Sequence, residues 1–306
     1  MEKIWDVIII GAGPAGLSAG IYAARQGHST LLLHSGKVGG RALEAHRIDN
    51  YPGFPQGLTG AELMNLFNDQ ARRFGVEFKR ETVIGLADAG EFKIVSTRSG
   101  YHQGKTVIIA AGVQRKQLSV PGEMEFKGRG VSYCAICDGP FFREKVVTVV
   151  GSGHEAVQDA LHLTNTASKV IIIPGKKGFS EKYTELATLR VNPKVEFIEG
   201  QDIAEITGNE FVTGVKLTTG WVENIATDGV FILLEHISTS NILVEAGIDA
   251  DEGGCILVDR NQQTNLPGFY AAGDCCCMGW QIVTAAGEGA KAALSAMKFV
   301  KQKGTT

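Results

Sequence analysis

The chain has 306 residues with 44% hydrophobic and 21% charged side chains, and its 39 glycines suit a soluble α/β protein with many tight turns. That length favours two domains with a large core, and the formal net charge of −3 gives no basic footprint for nucleic acid. The N-terminus lacks signal-peptide features and no apolar run reaches the length of a membrane span. We therefore expect a cytoplasmic protein without nucleic-acid or membrane partners.

The first predicted unit is a strand, a glycine turn, a helix and a second strand. The apolar run "IWDVIII" (Ile4–Ile10) leads into "GAGPAG" (residues 11–16), and the following helix ends near Gly27, before "STLLLHS". A glycine turn between a strand and a helix lays a pyrophosphate on the helix N-terminus.

The same order of elements begins again 140 residues later. The strand Val146–Val150 is followed by "GSGHEA" (residues 151–156), a helix through about Ala167 and the strand "KVIII". Two further strands end in glycine turns, "TVIIAAG" (106–112) and "GFYAAGD" (268–274). One such motif is weak evidence, but two complete units predict a pair of Rossmann-like domains.

The segment "SYCAICDG" holds a C-x-x-C pair, Cys134 and Cys137. Two intervening residues allow both sulfurs to share one turn and form a disulfide, and such motifs lower the pKa of one thiol. Asp138 follows directly and could move the proton that thiol–disulfide exchange requires. A zinc site would need a second cysteine pair at ligand spacing, so we predict a redox pair and no metal.

The other cysteines are Cys255 and the run Cys275, Cys276 and Cys277. We expect all four to pack as small apolar side chains. The run follows Asp274, where a helix is expected to begin, and a helix N-terminus stabilises thiolates. A second redox relay in this run is therefore an open alternative.

Several long segments of the chain are similar to those of one family. "GAGPAGLSAGIYAAR", "GGRALEAHRIDNYPGF", "KGRGVSYCAICDGPFF" and "GFYAAGDCCCMGWQIVTAAGEGAKAAL" resemble the low-molecular-weight thioredoxin reductases, flavoprotein disulfide reductases with two dinucleotide-binding domains. The resemblance covers nearly the whole chain. It implies an α/β fold with a discontinuous FAD-binding domain (1–114 and 243–306), an inserted NAD(P)-binding-like domain (115–242) that carries the C-x-x-C, and a homodimer.

The predicted FAD site rests on the first glycine turn. Gly11 permits the tight turn, Gly13 lets the backbone approach the pyrophosphate, and Gly16 lets helix and strand pack closely. Asp274 stands between a strand and a helix and could accept a hydrogen bond from a ribityl hydroxyl. Together with what the resemblance implies, the predicted cofactor-binding set is Gly11, Gly13, Pro14, Ala15, Gly16, Ser35, Gly39, Gly40, Arg41, Asn50, Val83, Gly112, Asp274 and Gln281.

The resemblance also implies roles for the cysteine pair. Cys137 is expected to face the flavin, while Cys134 attacks the disulfide of thioredoxin or a thioredoxin-like protein.

The second glycine unit departs from NADPH-using relatives. Their strand ends in a His-Arg-Arg run that grips the 2′-phosphate, whereas this chain has Pro174, Gly175 and Lys176. Lysine lacks the bidentate fork of arginine, and no acidic residue stands there for the ribose of NADH. Glu155 lies in the first helical turn, where its carboxylate would repel a pyrophosphate.

Two further positions differ in the same direction. Glu235 replaces the glycine of a Gly-x-x-Pro element that follows the strand "DGVF", and Trp280 stands where relatives have arginine. These losses fit the resemblance to a ferredoxin-dependent, NAD(P)H-independent branch of the family.

The sequence therefore predicts that reduced ferredoxin is the electron donor, that FAD and the Cys134–Cys137 dithiol carry the electrons, and that thioredoxin receives them. Ferredoxins are usually acidic, and candidate steering charges are Lys176, Lys177, Lys182 and Arg190. Two alternatives stay open. One is an NADPH-dependent thioredoxin reductase with an atypical nucleotide site, and the other is a non-catalytic flavin-binding redox module.

Overall fold

In the computed structural model the chain forms two compact units, Met1–Gln114 with Ser238–Thr306 (the first unit) and Arg115–Ile237 (the second unit). The structure describes residues 3–115, 117–179, 183–218, 224–234, 236–237, 246–277 and 280–303. Two residues with sequence-based predictions, Lys182 and Glu235, lie outside the described residues.

The first unit is a parallel sheet with an antiparallel extension. Its elements are β1 (Ile4–Ile10), α1 (Pro14–Arg25), β2 (Thr30–His34), α2 (Gly60–Arg73), β3 (Glu77–Arg80), β4 (Val83–Asp88), β5 (Lys93–Thr97), β6 (Gly100–Ile109), β17 (Phe269–Ala271) and α6 (Ile282–Lys303). Strands β3, β2, β1 and β6 lie side by side in parallel, with β17 beside the end of β6. Strands β5 and β4 continue the sheet in antiparallel order.

The apolar runs explain this sheet. Strand β1 is buried at four of its seven residues and β2 at four of its five, as expected for parallel strands that are covered on both faces. One cluster joins Leu17 of α1, Met297 of α6 and Ile9 of β1, and the other joins Ile8 with Leu31 on the opposite face. The ends of β1, β2, β6 and β17 thereby meet along one edge, where open α/β sheets bind ligands.

The second unit repeats this plan. Its elements are β8 (Val131–Ser132), α3 (Ala135–Asp138), β9 (Val146–Val150), α4 (His154–Leu163), β10 (Lys169–Ile173), α5 (Glu185–Arg190), β11 (Val195–Phe197), β12 (Ile203–Gly208), β13 (Val212–Leu217), β14 (Asn224–Ala226) and β15 (Gly229–Ile232). The parallel sheet has the order β11-β10-β9-β15-β8, and β12, β13 and β14 form a separate antiparallel meander. Two short strands, β7 (Gln114–Arg115) and β16 (His236–Ile237), pair with each other.

The predicted fold class, α/β with two Rossmann-like units, is confirmed. One boundary differs: α4 ends at Leu163 and not near Ala167. The hydroxyls of Thr164 and Thr166 donate to the carbonyls of Leu161 and Leu163, which satisfies acceptors of the last helical turn and ends the helix early. None of the helices in the described ranges has both the length and the apolar character that a membrane crossing requires.

Candidate functional site

The first glycine turn is shaped by backbone contacts that exclude side chains. Gly11 has a φ of 109°, and a Cβ there would lie 2.1 Å from the Ala110 carbonyl oxygen. A Cβ on Gly16 would lie 1.8 Å from the Gly11 oxygen. Neither position can hold a larger residue without moving the backbone, so the turn between β1 and α1 needs glycine at both.

Gly13 differs because the space beside it is open. It is the N-cap of α1, a Cβ on it would meet nothing within 4 Å, and no side chain caps the helix. The first turn of α1 contains no acidic residue and begins with Pro14, which has no N–H to satisfy. The N–H groups and positive end of α1 therefore face a cradle that suits an anion such as a pyrophosphate.

A second loop packs onto this turn. The Gly39 N–H donates to the Ala12 oxygen over 2.7 Å, and a Cβ on Gly40 would lie 3.1 Å from the Gly13 Cα. Arg41, in the same loop, places Nη1 3.4 Å from Oδ2 of Asp274, which follows β17. The fold thus joins residues more than 200 positions apart at one end of the sheet.

Of the remaining predicted residues, Ser35, Asn50, Gly112 and Gln281 lie in loops of the first unit, and Val83 lies in a strand. Asn50 donates from Nδ2 to Oε1 of Gln281 over 3.0 Å. Ser35 and Gly112 follow the ends of β2 and β6. Val83 begins β4 and packs against the apolar cluster that Ile10 also contacts.

Glu288 is a site residue that the sequence analysis missed. Its Oε2 accepts the Gly273 N–H over 2.7 Å, directly beside Asp274. Burial, followed by the charge of Asp274, raises the pKa of this carboxyl. Its position in the α6 sequence "GEGAKAAL" gives no signal of this contact, because the contact depends on how α6 packs against β17.

The C-x-x-C pair forms a disulfide in the second unit. Cys134 is the N-cap of α3, and its Cα lies 5.3 Å from that of Cys137. The Cys137 N–H points at the Cys134 sulfur over 3.2 Å. A backbone N–H directed at a sulfur stabilises the thiolate after the disulfide opens. Cys134 is half-buried and Cys137 is exposed.

Ser132 connects Asp138 to the backbone of the pair. Its hydroxyl donates to Oδ2 of Asp138 over 2.6 Å and accepts the Cys134 N–H over 3.1 Å. The Asp138 N–H in turn donates to the Cys134 oxygen over 3.1 Å. The carboxylate is therefore held beside the redox turn, and Ser132 is the residue in this arrangement that the motif did not reveal.

Two large apolar side chains are exposed next to the pair. Ile136, between the two cysteines, is 52% exposed, and Phe141 is 54% exposed. Apolar side chains around a reactive disulfide suit contact with another protein.

The second glycine turn has the same backbone form as the first, but different side chains surround the start of the helix that follows it. Gly151 has a φ of 148°, and Gly153 is the N-cap of α4, whose first turn contains Glu155 as the sequence predicts. The Nε2 atom of His154 lies 3.5 Å from Oε1 of Glu185. The His154 ring also packs on the Tyr183 ring, and the two ring centroids are 5.4 Å apart. The anion-binding end of α4 therefore carries two carboxylates and an aromatic pair.

The end of β10 is also altered. Gly175 has a φ of 82°, and the next residue, Lys176, donates its N–H to Oδ1 of Asp202 over 3.2 Å. The Lys176 ammonium lies 3.5 Å from Oδ2 of the same carboxylate. The sequence showed no acid at this strand end, yet the loop after β11 supplies one.

This pairing changes the expected role of the basic residues. Lys176 pairs with Asp202, and Arg190 pairs with Glu199 over 2.7 Å. Their fields at long range are largely cancelled, so these two residues contribute less steering of an acidic protein than the sequence suggested.

The packing prediction is wrong for Cys255 and Cys277. These residues form a second disulfide with a Cα–Cα distance of 5.6 Å. The sequence could not indicate it, since 22 positions separate the two residues and their approach depends on the loop before β17.

The packing prediction holds for Cys275 and Cys276, which are buried and free. A hydrogen bond with Cys275, followed by burial, raises the pKa of the Cys276 thiol. The raised pKa of Cys276 opposes the thiolate stabilisation that the sequence left open for this residue. Within the described ranges no group of three or more His, Cys, Asp or Glu side chains could hold a metal ion.

Two nucleotide-type turns, one of them open to an anion, and a redox-active type of cysteine turn define a disulfide oxidoreductase with a dinucleotide cofactor. The model of the pyridine nucleotide-disulphide oxidoreductase family matches residues 5–290, and the chain belongs to this family.

Relatives are similar over almost the whole chain. A Bacillus subtilis thioredoxin reductase is 40% identical over 98% of this chain and 96% of its own length. The solved thioredoxin reductase of Streptococcus pyogenes is 35% identical with a TM-score of 0.91, covering 99% of this chain and all of that one. A ferredoxin-flavin thioredoxin reductase from Clostridium acetobutylicum is 31% identical with a TM-score of 0.56, covering 99% of this chain and 100% of that one.

The cofactor of this family branch is FAD, and the residues of the first unit fit it. The open cradle at Gly13, the uncapped start of α1 and the carboxylate of Asp274 at the same sheet edge are the features that an FAD diphosphate and its hydroxyls need.

Proposed function

We propose that the protein is a flavin-dependent disulfide reductase that reduces thioredoxin with electrons from reduced ferredoxin. The cysteine turn, the cradle of the first unit and the similarity to thioredoxin reductases support the first part. The choice of donor rests on the carboxylates at the start of α4, which are Glu155 and the Glu185 that pairs with His154.

When bound, FAD would supply the electron-transfer chemistry, accepting electrons from the donor and delivering two of them to a disulfide. In the reduced enzyme, the Cys134 thiolate attacks one sulfur of the thioredoxin disulfide, and the other sulfur leaves with the bonding electron pair and takes a proton. The Cys137 thiolate then attacks Cys134, which re-forms the enzyme disulfide and releases the thioredoxin dithiol. Asp138, which accepts a hydrogen bond from Ser132, moves the protons in this proposal.

The surface next to the pair supports a protein substrate. Ile136 and Phe141 lie exposed on either side of Cys137 and Asp138, and we assign them as the apolar contact for thioredoxin. Thiol–disulfide exchange needs direct contact between sulfurs, so an apolar rim at this position serves the reaction.

Two features of the second unit disfavour the binding of a pyridine nucleotide. A diphosphate at the α4 N-terminus would approach Glu155, with Glu185 held nearby by His154. Two unit charges 4 Å apart repel by about 1 kcal/mol in water and about 4 kcal/mol at a partly buried site. Lys176, the residue left for a 2′-phosphate, already pairs with Asp202.

A pyridine nucleotide is the second candidate donor. The second unit keeps the strand, glycine turn and helix, and Asp202 stands at the strand end where an acid binds the ribose of NADH. The family description also names pyridine nucleotides. The two donors predict different results in one experiment.

The experiment mixes the FAD-loaded enzyme with oxidised thioredoxin under anaerobic conditions and supplies NADPH, NADH or photoreduced ferredoxin. We expect thioredoxin thiols to appear only with ferredoxin, and the flavin absorbance to stay unbleached with either nucleotide. Rapid bleaching by micromolar NADPH or NADH would reject the ferredoxin assignment and leave the disulfide reductase assignment in place.

A charge variant tests the reason for the choice. Glu155→Ser removes the carboxylate from the first turn of α4, so nucleotide at high concentration should bleach the flavin faster than in the parent enzyme. Glu210→Ser, in the exposed turn between β12 and β13, is the matched control and should leave the rate of flavin bleaching unchanged. Equal rates for the two variants would show that Glu155 does not exclude the nucleotide.

A further inference from the structure

The Cys255–Cys277 disulfide lies in the first unit, next to the predicted cofactor site. It ties the loop that ends at Ile256 to the turn that begins at Asp274. Cys277 stands three positions after Asp274 and four before Gln281, and both of these belong to the predicted FAD-binding set.

The turn and the loop also contact each other without the disulfide, because Cys275, Cys276 and Ile256 are buried in one apolar cluster. The Ile256 N–H donates to the Cys275 oxygen over 2.8 Å, and the Cys277 N–H donates to the Asp274 oxygen over 3.0 Å. Cys277 has a φ of 55° and a ψ of 26°, a left-handed conformation that a non-glycine residue adopts only when its surroundings impose it. The disulfide to Cys255 is one of the contacts that Cys277 makes in this conformation.

The two sulfurs differ from the buried thiols beside them. Cys255 and Cys277 are both partly exposed, whereas Cys275 and Cys276 are buried. Partial exposure of the two residues favours thiol–disulfide exchange at this bond, because the incoming thiolate must approach a sulfur along the bond axis. A disulfide that a dithiol can reach is suited to opening and closing more than to permanent cross-linking.

We propose that Cys255 and Cys277 are a second thiol–disulfide exchange site, which a dithiol protein such as reduced thioredoxin opens, and that opening weakens the hold of the Asp274 turn on FAD. The incoming thiolate attacks one sulfur, and the other leaves as a thiolate with the bonding pair and takes a proton. The second thiol of the reductant then displaces the first cysteine. In sum, the protein disulfide gains two electrons and two protons, and the dithiol becomes a disulfide.

The consequence for FAD follows from the geometry of the turn. Without the bond, Cys277 can leave the left-handed region, and the turn can relax away from the position that pairs Asp274 with Arg41. The exchange requires only a dithiol, so this inference stands or falls separately from the choice of ferredoxin or nucleotide as donor.

The test uses a Cys134→Ser/Cys137→Ser protein, in which the first pair cannot react. Alkylation and mass measurement should find two thiols in the oxidised protein, Cys275 and Cys276, and four after incubation with stoichiometric pre-reduced thioredoxin. Ultrafiltration with flavin fluorescence then gives the free FAD. We expect the dissociation constant to rise at least threefold on reduction.

Two further variants in the same background separate the outcomes. Cys255→Ser should bind FAD as weakly as the reduced parent and should not respond to thioredoxin. Cys276→Ala should keep the full redox response. The proposal is overturned if Cys255 and Cys277 are thiols in the oxidised protein, if thioredoxin leaves the bond closed, or if opening it leaves FAD affinity unchanged.

Discussion

Gly13 and Gly16 stand three positions apart in the same turn, and the structure predicts opposite effects of replacing each with alanine. At Gly13 the φ of −80° and ψ of −172° are open to any residue, and a Cβ meets nothing within 4 Å. Alanine is a poorer N-cap residue than glycine, which destabilises the helix start, but it also lowers the entropy of the unfolded chain, which stabilises the fold. Because the two effects oppose each other, the free energy of unfolding should change by less than about 0.5 kcal/mol. The new methyl group would occupy the cradle, and FAD affinity should fall at least tenfold.

Alanine at Gly16 meets a rigid obstacle. Its Cβ would lie 1.8 Å from the Gly11 oxygen and 2.9 Å from the Gly11 carbon, both of them backbone atoms that no rotamer change can move away. Overpacking of this kind costs about 3 kcal/mol. For a domain of this size that corresponds to a Tm lower by roughly 6–12 °C.

The assay measures thermal unfolding of both apo variants and FAD binding by fluorescence quenching. We expect Gly13→Ala to unfold within about 2 °C of the parent protein and to bind FAD at least tenfold more weakly. A Gly13→Ala protein that binds FAD as tightly as the parent would refute the placement of the cofactor at α1. Equal Tm values for the two variants would refute the packing argument.

Other predictions address the cysteines and Glu288. Cys134→Ser and Cys137→Ser should each abolish thioredoxin reduction while the flavin stays reducible by dithionite, and full turnover by either variant would reject its assigned role. Cys276→Ala should retain most of the activity of the parent, because its thiol is buried and protonated; complete loss would restore the run as a redox site. Burial raises the pKa of Glu288, so the stability linked to its protonation is full below its usual value of 4.5 and is lost as pH rises through the folded-state pKa. Glu288→Gln keeps an acceptor for Gly273, and its Tm advantage over the parent should therefore grow from pH 4 to pH 7; a constant difference would contradict the shift.

Much of the fold could be predicted from the sequence because its signals are local. The buried run Ile4–Ile10, the glycines of "GAGPAG" and the small residues that follow determine a strand, a turn and a helix within one segment. The same holds for Val146–Val150 and its turn, and for the C-x-x-C, whose sulfurs meet within one turn of chain. The position of Glu155 on α4 also follows from its place in the motif.

The tertiary structure decided which residues from distant parts of the chain contact each other. Asp202 reaches Lys176 and Cys255 reaches Cys277 because separate loops meet in the folded chain, and Glu288 reaches Gly273 because α6 packs beside β17. No local pattern encodes such a meeting, since it depends on which strands become neighbours and on how α6 packs against β17. The sequence by itself therefore determined the two nucleotide-type units and the Cys134–Cys137 pair, while tertiary packing decided which charges are paired and that Cys255 is joined to Cys277.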